Sequence, residues 1–146
     1  MSDLQTLLDD HEIRHLAFRY CRALDTKDWA LLDDVFVPDA TAQLGSPAVL
    51  DGIETIRTRI RTALEHLDES QHLVGNHEVA VDGDTGAHRC YLQAQHIRAA
   101  ADGGPNWMVA GRYEDRLVRT DAGWRIAHRT LTVMWTDGNV GVAHPG

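Results

Sequence analysis

Cysteine is scarce in this chain. The two that occur, Cys21 in a helical pattern and Cys90 in a strand pattern, have no CxxC spacing, which excludes a disulfide framework and a zinc ribbon. Both read as buried free thiols of a reducing compartment, and a cytoplasmic location is expected. Long apolar runs are missing too: none approaches the roughly 18 residues of a membrane span, so no membrane partner is expected. The start, MSDLQTLLDD, is acidic and lacks a basic segment followed by an apolar one, so no signal or transit peptide is expected. Positive charge is the scarcer sign, with 14 Lys and Arg against 22 Asp and Glu and a net charge of -8 with the histidines neutral. The arginines are scattered, leaving no electrostatic footprint for a phosphate backbone and excluding nucleic acid as a partner.

What is present suits one domain spanning residues 1–146, large enough to bury roughly two thirds of its unfolded surface. Ile13, Leu16, Ala17, Tyr20 and Leu24 recur at the spacing of one helix face. Asp9 followed by Glu12 resembles a capping box at its start. Leu4, Leu7 and Leu8 fall out of phase with that stripe, so the helix bends or begins near Asp9 and Asp10. A short second helix fits WALLDDVF and is stopped by Pro38. Ile53, Ile56, Ile60, Ala63, Leu64 and Leu67 mark a third. From about residue 72, period-two runs are punctuated by VDGDTGA, AADGGPN and RTDAGW, giving four antiparallel strands near 72–82, 87–99, 106–119 and 124–136. A short strand at TAQLG joins that sheet. The expected fold class is α+β: a cone-shaped roll with three N-terminal helices on a curled antiparallel sheet that encloses a pocket.

Residues 11–15, HEIRH, match the HExxH pattern in which two histidines one turn apart bind zinc. Here the periodicity argues against a metal. His11 and His15 lie on the side of the helix away from the Leu16, Tyr20 and Leu24 stripe, facing solvent or a partner, and the remaining histidines show no ligand spacing. Asp25 has two readings: an N-cap of the WALLDDVF helix, three residues before Asp28, or half of an active site. His72 reads either as a strand-end histidine near solvent or as a base. Tyr20 is either a core aromatic or a substrate-polarising hydroxyl. Arg129 falls opposite Trp124, Ile126 and His128 in strict alternation, so it shares an interior with them only across a bulge.

The set Tyr20, Asp25, Trp29, Val35, Phe36, Asp39, Ala40, His72, Asn76, Gly111 to Tyr113, Asp115 and Gly123 through Arg129 resembles the SnoaL-like branch of the nuclear transport factor 2-like superfamily. That branch includes polyketide cyclases, scytalone dehydratase and hexachlorocyclohexane dehydrochlorinase. The resemblance covers nearly the whole chain. It implies an Asp25–His72 dyad inside the cone, with Arg129 where the dehydrochlorinase has an arginine. Tyr20 stands in place of that enzyme's lysine, a departure that disfavours halide elimination itself.

The implied activity is that of a cofactor-independent lyase, a dehydratase or related eliminase, with Asp25, His72, Tyr20 and Arg129 catalytic. Asn76, His96 and Trp135 are the expected substrate contacts, and the substrate is a small apolar or aromatic molecule. An aldol cyclase or double-bond isomerase using the same pocket is the alternative within the family, and a non-catalytic ligand-binding module the alternative outside it. Exposed apolar area around Trp107 and Trp135 predicts a homodimer or homotrimer.

Overall fold

The computed structural model describes residues 3–144; the ends of the expected domain, Met1, Ser2, Pro145 and Gly146, lie outside the described residues. Helix α1 runs unbroken over Asp3–Asp25, starting earlier than expected. Asp9 does not cap it. Its carboxylate is buried, taking hydrogen bonds from both terminal nitrogens of Arg119 at 2.9 and 3.0 Å and from Trp124 Nε1 at 3.1 Å. Leu4, Leu7 and Leu8 stay helical and point outward, which is why they fall out of phase with the buried stripe of Ile13, Leu16, Ala17, Tyr20 and Leu24.

The second helix is a single 3-10 segment, Trp29–Asp34. Pro38 does not stop it but lies within strand β1, Phe36–Leu44. The ladder between β1 and its neighbour is irregular from Phe36 to Thr41, so the proline's missing N–H falls where no strand hydrogen bond is needed. Strand β2, Leu50–Asp51, pairs with β1 and leads into helix α2, Ile53–Leu64. The α2 side chains Ile53, Ile56, Ile60 and Leu64 are buried, each contributing about 1.5–3 kcal/mol over an exposed position.

Four long strands follow: β3 (Glu69–Asp82), β4 (Thr85–Ile97), β5 (Asn106–Thr120) and β6 (Gly123–Gly138). Among the described residues the sheet has six strands in the order β2-β1-β6-β5-β4-β3, curled and unclosed, with the helices on its inner face. Three hairpins reverse the chain between β3 and β6, so β6 returns running with β1 and pairs with it in parallel. The sheet is thus mixed rather than wholly antiparallel as expected.

Three register shifts interrupt the meander. The first lies in β3 between Gly75 and Glu78; the others lie in the β5–β6 ladder, at Ala110/Gly111 and Arg116/Leu117. The last leaves Ala127 as the extra residue on β6. It lets Arg129 enter the interior together with Trp124 and Ile126, all three fully buried, while His128 turns outward to Thr41 Oγ1 at 2.6 Å. No helix among the described residues is long and apolar enough to cross a membrane.

Candidate active site

Asp25 is the last residue of α1, and α1 packs on β3. Alternation along β3 turns Ser70, His72 and Val74 toward the helix. Both oxygens of the Asp25 carboxylate accept hydrogen bonds from that strand. Oδ1 accepts from His72 Nδ1 at 2.6 Å and from Ser70 Oγ at 3.0 Å, and Oδ2 accepts from the backbone N–H of His72 at 2.8 Å. The residue at the N-cap of the 3-10 helix is Asp28, not Asp25, and it makes no side-chain cap bond. Because β3 begins at Glu69, His72 stands within the strand rather than at its mouth.

The side chain of His72 is 6% exposed and that of Asp25 22%. An ionised carboxylate only accepts hydrogen bonds, so it holds the imidazole in the Nδ1–H tautomer and leaves the Nε2 lone pair free.

His72 lines a cavity of about 260 Å³ between α1, α2 and the inner face of the sheet. Aliphatic side chains form most of its wall; besides His72, the residues His96, Tyr20, Trp107, Tyr113 and Arg59 supply the polar and aromatic groups. A more open groove of about 550 Å³ runs over Glu78, Arg89, Glu114 and Arg116. Those four side chains alternate out of phase with the buried ones, which puts the groove on the outer face of the sheet, away from the dyad.

His96 is 8% exposed, with its ring centroid 6.0 Å from that of His72 and its Nδ1 3.2 Å from the Trp107 carbonyl oxygen. Burial, with the neighbouring His72 adding to it, pushes the His96 pKa down, so the ring is neutral near pH 7. Burial likewise pushes the Tyr20 phenol up to about 12. At neutral pH it is therefore a hydrogen-bond donor and not a base.

Arg129 is buried but does not line the cavity. It forms a two-point ion pair with Asp115 at 2.7 and 2.8 Å. Its guanidinium stacks 4.4 Å from the Tyr20 ring centre and 3.9 Å from that of Tyr113, two tyrosines that line the cavity where Arg129 does not. Burial opposes the charge of Arg129, but Asp115 outweighs it and raises the pKa. Arg129 therefore lies beneath the two tyrosines rather than in the cavity wall.

Two expected substrate contacts are also displaced. Asn76 sits in the β3 bulge at φ 56°, exposed and outside the cavity. Its backbone suits the bulge, asparagine being one of the few residues that adopts the left-handed region readily. Trp135 is 48% exposed and likewise absent from the cavity wall. The tryptophan in the wall is Trp107, which the sequence reading placed at the surface. Ser70 and Tyr113 were missed as well. Ser70 shares the inward phase of His72 two residues away, and Tyr113 shares that of Trp107 and Val109, so strand periodicity could have found both.

The SnoaL-like domain family matches residues 5–130. The chain belongs to that family. A Mycobacterium tuberculosis relative, the uncharacterised protein Rv2910c, is 32% identical over 133 residues, 90% of each chain. The crystal structure of Kfla4162 from Kribbella flavida superposes with a TM-score of 0.87 at 26% identity, covering 96% of this chain and 99% of that one. Two further solved structures share the fold at lower identity. A Novosphingobium aromaticivorans chain provisionally named scytalone dehydratase has a TM-score of 0.83 at 20% identity, covering 92% of this chain and 89% of that one. A hexachlorocyclohexane dehydrochlorinase, LinA type 2, has a TM-score of 0.83 at 17% identity, covering 99% and 98%.

Proposed function

We propose that this SnoaL-like protein is a cofactor-independent lyase that removes a proton from carbon in a small, largely apolar or aromatic substrate and expels a β-substituent. The observation that carries this reading is the 2.6 Å contact between Asp25 Oδ1 and His72 Nδ1, made where His72 also forms part of an apolar cavity wall.

Nε2 of His72 takes the proton, the C–H electron pair becomes the new double bond, and the leaving group departs with its own bonding pair. Asp25 offsets the charge of the imidazolium that results. Where the leaving group is hydroxide it needs a proton, and Tyr20, a cavity-lining phenol held protonated, is the donor. His96 and Trp107 bound the substrate. Dehydration therefore fits the polar groups better than halide loss, which needs no acid.

The test is incubation of the protein in deuterated water with small aromatic and alicyclic compounds bearing a hydroxyl β to an acidic C–H. NMR would follow both deuterium uptake and alkene formation. Alkene formation that depends on His72 supports the lyase. Exchange accompanied by ring closure or double-bond migration reassigns the same base to a cyclase or isomerase. Tight binding with neither exchange nor turnover leaves a ligand-binding module.

A further inference from the structure

A second constellation of chemistry-bearing side chains lies outside the cavity. The β3 bulge between Gly75 and Glu78 shifts the phase of the strand, so that His77 rather than Asn76 turns inward. There it meets the neighbouring strand: His77 Nδ1 is 2.9 Å from His88 Nε2, with the rings 16° from parallel. Cys90 follows His88 at i+2 on the same buried face of β4. The three potential ligand atoms lie within 4.8 Å of one another, and none of the three residues belongs to the cavity wall.

The surroundings are those of a coordination site. His88 Nδ1 is 2.8 Å from Asp115 Oδ2, with both side chains almost fully buried. Because the Asp115 carboxylate, held ionised by Arg129, can only accept, His88 carries its proton on Nδ1 and presents the Nε2 lone pair to His77. A carboxylate that fixes the tautomer and orientation of a histidine in this way is the usual outer support of a metal-ligating imidazole. His77 also has a buried Nε2 without a hydrogen-bond partner. Of the three residues it alone is partly exposed, which leaves an approach for an ion.

We propose that His77, His88 and Cys90 form a binding site for a thiophilic ion, zinc(II) foremost, which staples β3 to β4 at the bulge. Two imidazoles and a thiolate suit a borderline-soft cation and exclude calcium or magnesium, which prefer oxygen donors. Binding is balanced in protons. The Cys90 thiol gives one to solvent, and the ring proton of His77 moves from Nδ1 to Nε2, freeing Nδ1 for the metal. Water entering on the open side of His77 completes a tetrahedron. The lyase chemistry proposed above makes no use of this ion.

The experiment is titration of reduced, chelator-stripped protein with cobalt(II), the spectroscopic stand-in for zinc, followed by displacement with zinc. The expected result is one cobalt per chain, with a thiolate-to-cobalt charge-transfer band in the near ultraviolet that zinc abolishes. Cys90→Ser should remove the band. His77→Gln, at a partly exposed position whose folding is checked by circular dichroism, should weaken binding by about 10–100-fold or more, at least the cost of losing an outer-shell partner. The double variant His11→Ala/His15→Ala, which removes the exposed pair on α1, should bind as the wild type does. The proposal is overturned by no stoichiometric binding, by binding without the thiolate band, by a band that survives in Cys90→Ser, or by unchanged affinity in His77→Gln.

Discussion

Asp25→Asn replaces one carboxylate oxygen with an NH2 group and removes a charge, and the geometry fixes what each change does. The amide oxygen can keep the hydrogen bond from the His72 backbone N–H, now 2.8 Å long. The NH2 then faces His72 Nδ1 and Ser70 Oγ, both of which donate to Asp25 in the wild type. Ser70 can rotate its hydroxyl to accept. His72 resolves the donor–donor conflict by moving its proton to Nε2, which places an N–H where the proposed base has its lone pair. The lost charge adds to this: two unit charges about 4 Å apart at an effective dielectric near 20 attract by about 4 kcal/mol before desolvation is subtracted. At 1.36 kcal/mol per decade, that is on the order of a thousandfold in rate. The tautomer change increases the loss, as it does when the aspartate of a serine-protease triad is amidated.

Stability should change far less, since one hydrogen-bond arrangement replaces another at about 1–2 kcal/mol, a few degrees in Tm for a chain of this size. The assay is initial rate under substrate-limited conditions, alongside a thermal melt of each variant. A variant rate within about threefold of wild type would refute the dyad.

Other outcomes follow from the same structure. Arg129→Met should destabilise by about 3–5 kcal/mol, because it leaves the Asp115 carboxylate buried without its counter-charge; the molecules that do fold should keep most of their turnover, since Arg129 is screened from the cavity by Tyr20 and Tyr113, and a complete loss of activity in folded protein would restore it as a catalytic group. Acid should act in two windows, read by urea melts across pH. Burial, reinforced by the neighbouring His88, lowers His77 to about 4, so its contribution is complete above the unfolded value near 6.5 and is lost as pH falls from there toward 4, a slope that His77→Gln should flatten. The hydrogen bonds from Arg119 hold Asp9 down at about 2, so its stabilisation is present above about 4 and is lost between there and 2. The exposed apolar side chains Leu73, Tyr91, Met134 and Trp135 predict self-association, and light scattering at micromolar concentration that reports a monomer would contradict it.

The helix stripes of α1 and α2 and the four-strand meander were legible because each buries one face and so imposes a period on its sequence. The candidate dyad was legible only through the family pattern. Nothing local distinguishes Asp25 from a cap, and the decision between the two readings lies in β3, more than forty residues away, whose hydroxyl, ring and backbone N–H occupy both carboxylate oxygens. Asp9 shows the same limit from the other side. It has the sequence of a capping box, yet tertiary partners from β5 and β6 take its carboxylate and the helix continues past it toward the N-terminus. The 3-10 form of Trp29–Asp34 and the passage of β1 through Pro38 were hidden for a related reason: both depend on which backbone groups the neighbouring segments leave unpaired.

The larger misplacements share one physical origin. A strand read by strict alternation assigns every residue to a face from a single starting phase, so one inserted residue reverses everything beyond it. In β6 the extra residue Ala127 carries Arg129 inward with Trp124 and Ile126, joining side chains that alternation had put on opposite faces. In β3 the bulge exchanges Asn76 for His77: the residue expected at the substrate becomes the hinge, and a histidine with no evident ligand spacing is delivered beside His88 and Cys90. Near the open end of β6 a third shift falls beside Trp135, which ends exposed while Trp107 on β5 takes the wall position. Each bulge costs a ladder hydrogen bond and, at Asn76, a left-handed backbone. What two of them deliver is a polar side chain in the interior, Arg129 to Asp115 and His77 to His88, so the breaks in period mark where this sheet departs from plain packing. His88 and Arg129 both bond the same Asp115 carboxylate, which makes these two departures a single network across β3, β4, β5 and β6. Its loss should therefore be felt at the bulge and beneath the cavity floor together.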